Sequence, residues 1–227
     1  MSVWGLIPQK SFRHSKTRLE PVLADRARWG FAQALFENAV TQLAGAVDGI
    51  VVCTDSVEVE AVAEGHRAST LRDPSEPADL AAVVDAGLAH LATRGVTSAL
   101  VLMPDLPRLT APDVEELVEA LAEHEAVLVR AHDHRHTNAL GMSLPRRFAT
   151  AFGHPTSFDQ HLQAARRVLS RVVVHDNPRI AFDVDRPEDY MRLYGHDGAI
   201  RDAEQRPVVR APALRHAAVS PGATDPS

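Results

Sequence analysis

The chain has 227 residues, 45% of them hydrophobic, with 30 acidic side chains against 24 Lys and Arg, a formal charge of −6. This length suits one sizeable α/β domain, and the acidic balance argues against a general nucleic-acid-binding surface. The single cysteine, Cys53, excludes an intrachain disulfide, and no apolar run approaches the ~20 residues of a membrane span. The chain starts directly on a strand-like segment without a secretory leader, so the expectation is a cytoplasmic protein that partners neither membrane nor nucleic acid.

Val3 to Ile7 reads as a first strand stopped by Pro8. The loop after it, Pro8 to Pro21, carries Lys10, Arg13, Lys16 and Arg18 and no acid until Glu20. Cations directly after the first strand of an α/β fold suit capture of a polyanion such as a nucleotide's phosphates, although a solvated charged loop reads the same way. Ala27, Phe31, Leu35, Ala39 and Leu43 then fall at helical spacing within Ala24 to Ala44. Trp29 and Phe36 lie off that row, suited to packing in the core or in a homodimer.

Gly49 to Thr54 is a second buried strand, Val57 to Glu64 a short helix and Thr70 to Arg72 a short third strand. Leu80 to Leu91 is helical, with Leu80, Val83, Val84, Leu88 and Leu91 on one side. The apolar run Ala99 to Met103 reads as a central parallel strand, cut off by Pro104-Asp105-Leu106-Pro107. Asp105 is thereby a lone carboxylate just beyond a strand's carboxyl end, where open α/β sheets hold their ligands. Thr110 and Asp113 form a capping-box pattern that opens a helix through Leu117 and Leu121.

Ala126 to Ala131 is another buried strand, followed by a segment whose His132, His134 and His136 read as a polar loop at the sheet edge rather than a zinc site. In Ala151 to Leu162, a glycine-containing turn precedes a helix Phe158 to Val168 that Thr156 or Ser157 can cap; such an N-terminus offers amides and hydroxyls to an anion. Arg171 to Val174 and Arg179 to Phe182 read as two short strands leading into Asp183-Val184-Asp185, and Arg186 to Asp189 starts a last helix. From about Gln205 to Ser227, Pro, Ala and Arg alternate without periodicity, as expected of a disordered tail behind one domain over residues 1–204.

The order of elements implies a mostly parallel mixed sheet with helices on both faces, a three-layer α/β/α sandwich. A D-x-D pair after a strand often only caps a helix. Convergence of Asp183 and Asp185 with Asp105, beside a cationic loop, instead fits a divalent cation in nucleotidyl transfer, because Mg²⁺ takes carboxylate and phosphate oxygens. No Ser-His-Asp order, Walker loop or G-x-G-x-x-G supports a hydrolase, P-loop or dinucleotide reading.

Five motifs in register resemble one family. IPQKSFRHSKTRL (7–19) resembles the P-x-K…K-[ST]-R-L opening of the 2-phospho-L-lactate guanylyltransferases, and LMPDLPRLT resembles their L-P-x-D-[LIV]-P. TNAL (137–140), FGHPTSF and FDVDRPED are similar to T-N-[AL]-L, FG-x-x-S-F and D-[VI]-D-x-P-x-D, so the resemblance runs over about residues 3–193. It implies the nucleotide-diphospho-sugar transferase (GT-A-like) fold. It also implies joining GMP from GTP to phosphoenolpyruvate, 2-phospho-L-lactate or 3-phospho-D-glycerate, with release of pyrophosphate, in biosynthesis of the deazaflavin coenzyme F420. By the same resemblance Asp105, Asp183 and Asp185 would hold Mg²⁺, and Lys10, Lys16 and Arg18 would grip the GTP phosphates, Lys10 and Lys16 with a catalytic share. Thr137, Gly153 and the hydroxyl of Thr156 or Ser157 would receive the acceptor acid. The chain departs from the family pattern twice: FGHPTSF is one residue longer than its counterpart, and the family's G-L-N-A-A stands here as Ala78-Asp79-Leu80-Ala81-Ala82. Two alternatives stay open, a nucleotidyltransferase of the same fold with another base or acceptor, and an idle homologue that serves as a binding partner.

Overall fold

A computed structural model describes residues 2–73 and 79–195. The expected tail from Gln205 and residue Ala78 lie outside the described residues. Seven strands form one sheet in the order β3-β2-β1-β4-β6-β5-β7: β1 (Val3–Pro8), β2 (Gly49–Thr54), β3 (Ser69–Arg72), β4 (Ser98–Leu102), β5 (Ala126–Arg130), β6 (Thr137–Ser143) and β7 (Val172–Val174). Every pairing is parallel except the two made by β6, which runs antiparallel to β4 and β5. The central strands are continuous apolar runs because both faces of the sheet are covered.

One face is covered by α1 (Asp25–Ala44), α2 (Val57–Gly65) and α4 (Ala111–Glu123), which contribute Phe36, Val40, Leu43, Val59, Val114 and Leu117 to a common core. The other face is covered by α3 (Leu80–Thr93) and α5 (Ser157–Val168), through Val84, Leu88, Leu91, Phe158 and Ala165. The α3 helix approaches closely at Gly87, where a Cβ would lie 2.5 Å from Leu6 and 2.8 Å from Cys53. A third, smaller cluster joins Leu19 of the basic loop and Leu23 just after it to Phe31, Leu35, Phe182, Val184 and Tyr190. Among the described residues no helix is long and apolar enough to cross a membrane.

Two expectations need correction. The stretch after β5 does not stay in a loop: Thr137 to Ser143 is a strand inserted between β4 and β5. Its residues are nearly all buried, yet Thr137, Asn138 and Gly141 interrupt the apolar run that would announce it. Arg179 to Phe182 is not a strand either. Pro178–Ala181 is one helical turn, α6, started by Asn177, whose side-chain oxygen accepts from the amides of Arg179 and Ile180. Asn followed by Pro is an N-cap signal, and it outweighs the apolar run behind it. The last helix, α7, spans Pro187–Tyr194.

Candidate active site

The carboxyl ends of β1 and β4 lie side by side, and each ends at a proline-containing turn. In the turn after β4, Leu106 and Leu109 are buried and anchor the chain, leaving Asp105 at the sheet's edge. The reversed direction of β6 brings its first residues, Thr137 and Asn138, to that same edge, where the Met103 amide donates to the Asn138 carbonyl. Past α6 the chain is extended, and Phe182 and Val184 are buried in the third cluster. Alternate residues of an extended segment face opposite sides, so the intervening Asp183 and Asp185 turn away from that cluster. The Val184 amide donates to the Asp105 carbonyl at 3.3 Å and sets the register of the two segments.

Carboxylate oxygens of Asp105, Asp183 and Asp185 consequently lie within 4.8 Å of one another. Among the described residues they are the one group of His, Cys, Asp and Glu close enough to hold a metal ion. The Lys16 ammonium sits between two of them, 2.6 Å from Asp105 Oδ2 and 2.8 Å from Asp185 Oδ1. It reaches them from a left-handed backbone conformation (φ 55°) that costs a non-glycine residue roughly 1–2 kcal/mol. Arg18 is more exposed and lies 3.7 Å from Asp185. Burial, and then the neighbouring Asp105 charge, push the Asp183 carboxyl up to about 6. Burial also works against the charge on Asp185, but Lys16 outweighs it and holds that carboxyl below its ordinary range. Asp105 Oδ1 is buried and accepts no hydrogen bond. Three carboxylates with an unsatisfied buried oxygen and one lysine between them are a donor set short of positive charge, which fits a hard divalent cation.

Lys10, Lys16 and Arg18 open, with Asp105 and Asp185, into one cleft of about 460 Å³ that continues past Pro8, Cys53, Leu80, Val83 and Met103. The structure thus brings the basic loop and the acids together. Thr137, Gly153, Thr156 and Ser157 do not line that cleft. Gly153 has φ +86°, a conformation favouring glycine, and packs toward Leu80 at the cleft wall, 3.5 Å from a Cβ built on the glycine. Thr156 is the half-exposed N-cap of α5, facing His154, whereas Ser157 is buried at its first turn.

Several side chains behind the site have roles that the sequence pattern does not announce. The Asn138 amide donates to Asp183 Oδ1 at 3.1 Å. His132 is not merely loop: it bridges Asp183 (3.1 Å) and Asp189 (3.1 Å), and those carboxylates outweigh burial and raise its pKa. The H-D-H-R-H run was its signal, but nothing local told His132 from its neighbours, and His136 pairs instead with Asp133. His161 is fully buried, and burial pushes its pKa down to about 4, so its ring is neutral. Its Nε2 accepts from the Ala151 amide at 2.7 Å, which assigns the ring proton to Nδ1, 2.9 Å from Thr137 Oγ1. The Thr137 hydroxyl accepts that proton's hydrogen bond and keeps its own proton to donate. A lone histidine on a helix carries no sequence signal for this role. Asp113, fully buried, binds Arg179 in a fork and accepts from Asn177 and Thr110; these bonds outweigh burial and hold its carboxyl low. They tie the start of α4 to the segment that delivers Asp183.

A family model described as Guanylyl transferase CofC like matches residues 3–205. A phosphoenolpyruvate guanylyltransferase of Rubrobacter xylanophilus is 35% identical over 200 residues, covering 87% of this chain and 96% of that protein. A 3-phospho-D-glycerate guanylyltransferase of Phenylobacterium zucineum is 34% identical over 184 residues, covering 79% and 84%. In fold, the chain is similar to a solved structure from Desulfovibrio desulfuricans G20, provisionally assigned as a nucleotide-diphospho-sugar transferase. The TM-score is 0.71 at 17% identity, over 86% of this chain and 87% of that one.

Proposed function

The chain belongs to the guanylyl transferase CofC-like family, and we propose that it joins GMP from GTP to a small phosphorylated carboxylic acid, releasing pyrophosphate. The candidate acids are phosphoenolpyruvate, 3-phospho-D-glycerate and 2-phospho-L-lactate, and the reaction would serve biosynthesis of a deazaflavin coenzyme. The observation that carries this reading is the meeting of Asp105, Asp183 and Asp185 with Lys16 at the mouth of a nucleotide-sized cleft.

In this reading Asp105, Asp183 and Asp185 hold Mg²⁺, which when bound supplies charge neutralisation and polarisation at the α-phosphate. Lys10 and Arg18 receive the outer phosphates from the open side of the cleft. Lys16, only 11% exposed at its side chain and held by Asp105 and Asp185, supplies a positive charge beside the leaving pyrophosphate. The acceptor's phosphate is already ionised at neutral pH, so no general base is required, and its oxygen attacks the α-phosphate in line. Catalysis is then mainly positioning and charge neutralisation. The Thr137 hydroxyl, oriented by His161, donates to the acceptor's carboxylate, and the Gly153–Ser157 turn with the half-exposed Thr156 receives its phosphate.

The test is pyrophosphate release with GTP and each of the three acids in the presence of Mg²⁺. Turnover with at least one pair is expected; no turnover with any of them and any nucleoside triphosphate would overturn the reading. A second reading, the same chemistry with another base, is favoured by one observation. Leu80, which replaces the family's asparagine, lines the cleft. A nucleotide panel with CTP, UTP and ATP separates the two.

A further inference from the structure

The cleft has a far end that the transfer chemistry leaves unused. We propose that the Asp73 carboxylate there is the base-selecting group, accepting hydrogen bonds from the N1–H and 2-amino group of a guanine ring. The proposal rests on the guanylyl-transfer reading and adds a residue that chooses the base.

Asp73 is the first residue beyond β3, and its amide donates to the Thr54 carbonyl at 3.2 Å, which prolongs the β2–β3 ladder and fixes the residue at the sheet edge. Its Oδ1 atom is buried, and the residue lines the same cleft as Lys16 and Asp105. The strand order β3-β2-β1-β4 sets Asp73 three strand spacings from Asp105, about 14 Å at ~4.8 Å per strand. A nucleotide covers such a span between the Watson–Crick edge of its base and its α-phosphate. A base reaching Asp73 would therefore place its phosphates among Lys10, Lys16 and Arg18.

The chemistry along the cleft changes in the same direction. Cys53, Leu80 and Val83 make an apolar stretch suited to the faces of a ring. Burial, and then the nearby Asp73 charge, push the Cys53 thiol up to about 12, so the thiol stays neutral beside that carboxylate. Among the described residues that line the cleft, the acids are Asp73, Asp105 and Asp185, and the last two belong to the metal-holding group. An ionised carboxylate only accepts hydrogen bonds. The Watson–Crick edge of guanine presents two adjacent donors, which one carboxylate can take together. Adenine and cytosine each present a single donor beside an unprotonated ring nitrogen, which would face the carboxylate lone pair to lone pair. A site with such an acceptor favours the base that offers it two donors over an analogue that offers fewer.

The experiment uses the full chain and measures the affinity of GTP, inosine, xanthosine and adenosine triphosphates by competition. Inosine lacks the 2-amino group, so the unmodified protein should bind its triphosphate roughly tenfold more weakly than GTP. Asp73→Asn offers one acceptor and one donor, which match the N1–H and 2-oxo group of xanthine. The variant should lose roughly tenfold or more in GTP affinity and gain for xanthosine triphosphate. Equal binding of GTP and inosine triphosphate by the unmodified protein would overturn the proposal without recourse to any variant. So would an unchanged GTP-to-xanthosine ratio in Asp73→Asn. If the unmodified protein binds no guanine nucleotide, the guanylyl-transfer reading falls as well. If it turns over GTP and the variant keeps its selectivity, only the assignment of Asp73 falls.

Discussion

The Val184 amide donates to the carbonyl of Asp105, so the two acid-bearing segments of the site are joined through backbone before any side chain is considered. The bond sets Asp183 and Asp185, on either side of Val184, against the segment that carries Asp105. Positioning of this kind is what a transfer reaction without a general base depends on.

Asp105→Asn keeps that backbone bond and the shape of the turn while removing one charge from the acid group. Turnover should fall by at least about a hundredfold, and binding of Mn²⁺, followed as a paramagnetic stand-in, should weaken. The unfolding midpoint of the metal-free variant should stay within a few degrees of the parent, because the substitution relieves repulsion around Asp183 while losing the Lys16 contact. Full activity in the variant would show that Asp105 holds no metal.

His161 predicts an acid-sensitive component of stability. Burial lowers its pKa from an ordinary 6.5 to about 4, so folding favours the neutral ring. The corresponding stability is fully present above pH 6.5 and is lost as the pH falls through about 4, by about 3 kcal/mol in all. Urea unfolding of the parent and of His161→Gln between pH 7 and 4 should show the parent losing more over that window. Parallel pH curves would contradict the assignment. At neutral pH the same variant should raise KM for the acceptor acid more than it lowers kcat, because it frees the Thr137 hydroxyl to rotate.

Asp113→Ala tests the anchor behind the site. It leaves the buried Asn177 side chain and the Arg179 fork without their shared acceptor, which should cost about 2 kcal/mol, a value kept low because Arg179 is 45% exposed. Chemical denaturation measures the loss. Since Asn177 and Arg179 lead directly into Asp183, metal affinity should fall as well, although Asp113 lies outside the three-aspartate group proposed to hold the metal. Unaltered metal affinity would show that Asp183 is positioned by Asn138 and Val184 alone.

Much of this was written locally. Continuous apolar runs marked β1, β2, β4 and β5, because a strand covered on both faces needs no polar residues. Pro104 and Pro107 marked where β4 ends, and Thr110 with Asp113 marked the start of α4. The placement of Asp105, Asp183 and Asp185 followed from such punctuation and from motif order. What the sequence withheld depends on contacts between distant segments. The strand β6 has no apolar run to mark it, because Thr137 and Asn138 carry polar groups that meet their partners on His161 of α5, on the chain around α6 and on Asp183. Arg179 to Phe182 fits a strand by its apolar residues until the Asn177 cap is seen in place. The bridge of His132 between Asp183 and Asp189, and the arrival of Asp73 in the same cleft as Asp105, come from the order of strands in the sheet. Periodicity and turn chemistry are properties of neighbours along the chain, and they fixed the elements; strand order is a property of packing, and it alone decided which of those residues share a site.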